Sequence, residues 1–105
     1  MNGKAAMVMT TFPDAETANR ILRGLLERRL AACAQTLPVR SSYHWKGALH
    51  HENEVLALIK TKRALYPEVE VFLKAAHPYE TPEIVLLPIE AAAKAYLAYL
   101  VAETK

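Results

Sequence analysis

The chain has 105 residues, 52% of them hydrophobic and 23% charged, with a formal net charge of +2 and a pI of about 8.8. That is the length of one domain with its own core, expected here over residues 1–105. The balance lacks the concentrated basic stripe of a nucleic-acid binder, and no stretch approaches the roughly 20 apolar residues of a membrane span.

Ala5 to Thr11 reads as a short buried strand. Thr10, Thr11 and Pro13-Asp14 end this apolar run before it reaches signal-peptide length. Pro13-Asp14 opens a helix, with Asp14 placed to cap free N–H groups and Glu16 to complement the dipole. Ala18, Ile21, Leu22, Leu25 and Leu26 then fall on one helical face. Gly24 lies within that stripe and implies close packing against a sheet. The basic cluster Arg20, Arg23, Arg28 and Arg29 shares this helix with Glu16 and Glu27 at i,i+4 spacing, which reads as a solvated face.

Leu30 to Leu37 enters a second strand, and Pro38 within it implies a bulge or an edge position. Val39 to Trp45 continues it, Lys46-Gly47-Ala48 supplies a turn, and Leu49 to Thr61 returns as a third strand. Val55 to Ile59 is continuously apolar, so cover on both faces is expected there, whereas His50 to Glu54 is polar. The resulting hairpin has arms longer than the usual 5–6 residues. Its outer part would expose strand edges and aromatic side chains, which favours self-association.

A second helix is expected from Leu65 to Pro67 onward, with Leu65, Val69, Phe72, Leu73 and Ala76 at helical spacing. The loop His77-Pro78-Tyr79-Glu80-Thr81-Pro82-Glu83 follows, with two prolines that forbid a continuous helix. Ile84 to Leu87 reads as a fourth strand stopped by Pro88, and Ala91 to Glu103 as a third helix. The order predicts an α+β fold: a ferredoxin-like βαββαβ antiparallel sheet with a long β2–β3 hairpin and an extra C-terminal helix.

His77, at a helix end beside Tyr79, Glu80 and Glu83, reads either as a metal ligand or acid/base, or as a histidine whose ring hydrogen-bonds the loop. Cys33 is a soft metal ligand or nucleophile in type, although Ala31, Ala32 and Ala34 around it favour a buried packing cysteine. As the sole cysteine it forms no internal disulfide and fits a reducing, cytoplasmic compartment. His50 and His51 point to opposite faces of a regular strand, and His44 with His50 is the pair that would meet across the hairpin. Tyr43 and Trp45 share the face opposite His44 and Lys46 and read as subunit-interface anchors. No Cys-x-x-Cys, His-Glu-x-x-His, Gly-x-Ser-x-Gly or Gly-rich phosphate loop occurs, so the sequence does not support an enzyme.

Leu30-Ala-Ala-Cys, Ser42-Tyr43-His44-Trp45-Lys46-Gly47, Glu54 through Ile59-Lys60-Thr61, and His77-Pro-Tyr-Glu-Thr-Pro-Glu-Ile together resemble the CutA divalent-cation tolerance family, from about Val8 to Leu100. Tyr96-Leu97 is similar to that family's closing segment. The resemblance implies a cytoplasmic homotrimer of ferredoxin-like subunits, joined by long hairpins and linked to tolerance of divalent metals such as copper. It also implies likeness to the PII signalling trimers, which bind small ligands in clefts between subunits. Candidate metal ligands are then His77 and Cys33, and candidate cleft residues Trp45, Lys60, Tyr79 and Glu80. Where members with a described copper site carry a cysteine and two consecutive histidines, this chain has Thr10 and Ala76-His77. The alternative is a PII-like sensor or scaffold for a small ligand or partner protein, with no metal role.

Overall fold

A computed structural model describes residues 4–105. Four strands, β1 (Ala5–Phe12), β2 (Cys33–Trp45), β3 (Ala48–Lys62) and β4 (Val85–Pro88), form one antiparallel sheet in the order β2-β3-β1-β4. Three helices accompany it, α1 (Ala15–Glu27), α2 (Tyr66–Ala76) and α3 (Lys94–Ala102). This is the expected ferredoxin-like order with a C-terminal helix added.

Period-two alternation assigns the two sheet faces. Val8, Phe12, Ala57 and Ile59 point to the side where Ala18, Ile21, Leu22 and Leu25 of α1 and Val69 and Leu73 of α2 complete the core. Asp14 caps α1 by accepting the Thr17 N–H at 2.7 Å, and that bond holds its carboxyl below the usual range. At the other end the Leu30 N–H reaches the Leu25 carbonyl and the Arg29 N–H that of Leu26. Arg29 sits at φ +56° there, the place usually given to glycine. Gly24 makes room for a helix rather than for the sheet, since a Cβ on it would stand 2.6 Å from the Phe72 ring of α2.

Pro38 falls in β2, an edge strand, and its pairing with Val55 keeps the register unbroken. Lys46 and Gly47, with φ of +49° and +81°, make the two-residue turn, and Ala48 already pairs with Trp45. The positive φ at both positions gives the turn the twist that the flanking strands require. β1 pairs with β3 only from Val55 to Lys62. Residues 39–45 and 48–54 therefore form a two-stranded ribbon beyond the body, and the chain measures 44 × 25 × 22 Å.

Double-sided cover of Val55 to Ile59 is not observed. Ala57 and Ile59 are fully buried on the helix side, while Leu56 and Leu58 are half-buried on the other. The opposite face carries Met7, Met9, Leu37, Leu56, Leu58, Val85 and Leu87, and α3 meets it at one end, where Tyr96 touches Cys33. The third helix starts at Lys94 instead of Ala91 because the Ile89 N–H bonds the Ala5 carbonyl and keeps the chain extended past β4. Leu100 is its buried residue, while Tyr96, four residues before it on the same side, remains exposed, as does Tyr99.

Candidate functional site

Pro78 confines the residue before it to extended backbone, and α2 ends with His77 at φ −72°, ψ 136°. The His77 side chain turns under the end of the sheet and is 9% exposed. Its ring stacks on Phe12 at 4.9 Å and lies tilted against Tyr79 at 4.9 Å. Nδ1 accepts the Tyr79 N–H at 3.2 Å, so Nε2 carries the hydrogen and donates it to the Thr11 carbonyl at 2.8 Å. Both ring nitrogens are thereby committed to the chain. Burial lowers the pKa of this imidazole, against the opposing pull of the Thr11 bond and the Glu54 charge. It is a neutral joint between loop and sheet, with no lone pair left for a metal.

The loop then passes to the hairpin. Tyr79 Oη donates to Glu54 Oε2 at 2.6 Å, and Tyr43 Oη donates to Glu52 Oε1. The Tyr43 ring also stacks on His50 at 5.4 Å. Burial, followed by the bond to Glu54, raises Tyr79 far above an ordinary phenol. The bond to Glu52 raises Tyr43 to about 12. Tyr43, Glu52, Glu54 and Tyr79 line a cleft of about 730 Å³ between hairpin and loop, together with Trp45, Glu80 and Glu83. Lys46, expected opposite Trp45, leaves the strand alternation because it sits in the turn. Its Nζ lies 3.8 Å from Glu80 and 5.5 Å from the Trp45 ring centroid.

The expected cleft group divides. Within one chain Trp45, Tyr79 and Glu80 gather, with Tyr43 beside them. Lys60 does not join them, because it pairs with Met7 and Cys33 at the opposite end of the sheet and donates to Gln35. Cys33 is half-buried rather than buried, and its Sγ is 3.4 Å from Tyr96 Oη. That contact raises Tyr96 to about 12. Tyr99 Oη donates to the Ala32 carbonyl alongside. His77 and Cys33 thus occupy separate ends of the molecule. Among the described residues no three His, Cys, Asp or Glu side chains are grouped to hold a metal ion. The donor set of one chain does not fit a resident copper ion, which prefers nitrogen and sulfur ligands.

His44 and His50 do not meet either, since the two-residue turn sets Tyr43 opposite His50 and His44 opposite Leu49. His51 Nδ1 is instead 2.8 Å from Ser42 Oγ. The cleft residues that sequence reasoning passed over are Glu52 and Glu54, read only as part of a polar hairpin end. The signal was available: with Lys46-Gly47 as the turn, strict alternation sets both on the face of Tyr43.

Comparison with known proteins adds the following. Residues 6–103 match the family model described as CutA1 divalent ion tolerance protein. The divalent-cation tolerance protein CutA of Pyrococcus horikoshii is 38% identical over 99 residues, covering 94% of this chain and 97% of that protein. Protein CutA of Mus musculus is 37% identical over 93% of this chain, which spans only 56% of the mouse protein. The solved structure of the periplasmic divalent cation tolerance protein CutA from Archaeoglobus fulgidus superposes with a TM-score of 0.94 at 34% identity, covering 96% of this chain and 99% of that one.

Proposed function

The chain belongs to the CutA1 divalent ion tolerance family, and from that premise we propose that it acts in divalent-metal tolerance as a non-catalytic, cytoplasmic homotrimer of single-domain subunits. The observation that supports assembly is the apolar sheet face turned away from α1 and α2. Leu37, Val85 and Leu87 on it are 41%, 42% and 39% exposed, and Met7, Met9, Leu56 and Leu58 lie between them in register. A monomer rarely leaves so continuous an apolar strip in water. The outer hairpin adds two long unpaired edges, which a neighbouring chain can cover. Tyr43 and Trp45 on the same face serve as anchors in this arrangement. The cytoplasmic placement is supported by a single half-buried thiol and no disulfide partner in the sequence.

Light scattering tests the assembly. The expected mass is three times the 11.7 kDa of the chain, and Leu58→Glu reduces it to a single chain by placing a charge in the buried strip. A wild-type monomer at micromolar concentration refutes the reading.

The cleft between hairpin and loop favours a second function for the same assembly, that of a PII-like sensor with a small ligand. Its about 730 Å³ lies in the ordinary range for small-molecule sites. A fluorescence or calorimetric ligand screen tests this directly, and the absence of any saturable ligand counts against it.

A further inference from the structure

The formal charge of +2 hides an uneven distribution. Glu52, Glu54, Glu80 and Glu83 gather where the hairpin meets the loop, at one end of the sheet. The opposite end is basic. The Arg63 N–H donates to the Lys4 carbonyl, and Lys62 stands opposite Ala5 in register. Lys62 Nζ donates to the main-chain oxygen of Lys105 at 2.9 Å, and the Lys105 N–H to the Arg29 carbonyl at 3.0 Å. The start of β1, the end of β3, the turn after α1 and the segment after α3 thus bring Lys4, Arg28, Arg29, Lys62, Arg63 and Lys105 to one place.

Three carboxylates stand beside these six cations. Glu103 is 3.3 Å from Arg29 and Glu68 is 2.9 Å from Lys105, while Glu90 follows Ile89, whose N–H holds the Ala5 carbonyl. The four paired side chains are about half exposed. Ion pairs in that much water contribute little, so another anion can take the place of these carboxylates. Lys4 and Arg63 are exposed, and neither forms an ion pair among the described residues. The patch lies beyond the apolar strip and at the far end from the outer hairpin.

Its composition selects among polyanions. None of the six residues is aromatic, so bases have no stacking platform within the patch. The cations rise from separate turns rather than from one helix face, which suits a flexible anion better than a rigid duplex or a flat bilayer. A chain of phosphates offers acceptor oxygens to ammonium and guanidinium groups alike, and its binding gains from counterion release.

We propose that this basic end binds inorganic polyphosphate. Phosphate oxygens also hold divalent cations, so the bound polyanion carries metal ions to a chain whose described side chains are not grouped to hold one. The proposal rests on neither the trimer nor the ligand cleft, because all six cations belong to one chain.

The test is fluorescence anisotropy of labelled polyphosphate titrated with the full chain over a range of salt, with duplex DNA and phosphatidylserine vesicles as separate arms. Saturable polyphosphate binding is expected, its log affinity falling linearly with log salt. Lys4→Gln/Arg63→Gln, at exposed positions where folding is not at stake, weakens it about tenfold. Arg20→Gln/Lys74→Gln removes the same charge elsewhere on α1 and α2 and leaves affinity within about twofold, because salt screens distant charges. Equal weakening by the two pairs overturns the proposal, since binding then follows net charge alone. An unchanged affinity in Lys4→Gln/Arg63→Gln overturns it too, as does the absence of polyphosphate binding at low salt. Tighter binding of the duplex or the vesicles than of polyphosphate overturns the choice of polyanion.

Discussion

Replacing His77 by alanine tests whether this residue is a structural joint or a metal ligand. The ring is 9% exposed, and its removal forfeits the burial of an aromatic-sized group, about 1.5–3 kcal/mol. It also strips the Thr11 carbonyl and the Tyr79 N–H of their partners, at about 1–3 kcal/mol each where water cannot enter. Water entering the vacated space restores part of the second contribution, so a net loss of about 3–4 kcal/mol is expected. Guanidinium unfolding of wild type and His77→Ala at one fixed chain concentration, with chelator present, measures it. Fixed concentration matters because association shifts apparent stability.

The pH dependence supplies an independent reading. Burial depresses the His77 pKa in the folded state below the ordinary imidazole value of 6.5. Above 6.5 both folded and unfolded forms are neutral, and the stabilisation is fully present. As pH falls below 6.5 the unfolded chain takes up the proton first, and stability is lost progressively until the pH has passed through the lower folded value. Wild type therefore loses more stability between neutral pH and this window than His77→Gln does. A variant within about 0.5 kcal/mol of wild type, the scatter of ordinary surface substitutions, would falsify the joint. Divalent-metal stabilisation that disappears with the ring would do the same.

Two further substitutions examine the core. Thr10 is fully buried, and its Oγ1 finds no partner among the described residues. Thr10→Val keeps the shape and removes the orphaned hydroxyl, so a gain of about 1–2 kcal/mol in chemical denaturation is expected, and a loss shows that the hydroxyl is satisfied. Gly24→Ala improves helix propensity by about 1 kcal/mol, but it drives a methyl to within 2.6 Å of the Phe72 ring. Overpacking of about 1–3 kcal/mol outweighs the gain. The single variant is expected to be less stable than wild type and Gly24→Ala/Phe72→Leu to recover part of the loss; a more stable single variant refutes the packing argument.

Periodicity carried most of the fold. The α1 stripe, the long hairpin, the edge position of Pro38 and the loop between two prolines all follow from spacing and backbone chemistry local to each segment. What escaped the sequence depended on contacts between segments. Gly24 looked like a contact with the sheet because nothing local distinguishes a sheet from the Phe72 ring of a second helix. Cys33 looked buried because its neighbours are small and apolar, although its surroundings are set by Tyr96, 63 residues away. Within one chain the register places Lys60 and Trp45, both named as cleft residues, at opposite ends of β3 and its hairpin, a separation no local pattern indicates. His77 was legible as a residue of consequence, but its two hydrogen bonds depend on where β1 ends, which its own segment cannot indicate.

The ribbon formed by residues 39–45 and 48–54 has consequences for how the protein acquires its structure. Two strands without a third are marginal in water, so this half of the hairpin gains little order from its own chain. In the proposed homotrimer its ordering would become part of a bimolecular encounter, slower at low chain concentration and independent of how fast the body folds. Newly made chains would first pass through a state with a finished body and a fraying arm. The time spent in that state, with its edges open to wrong partners, would then be set by expression level rather than by intrinsic stability.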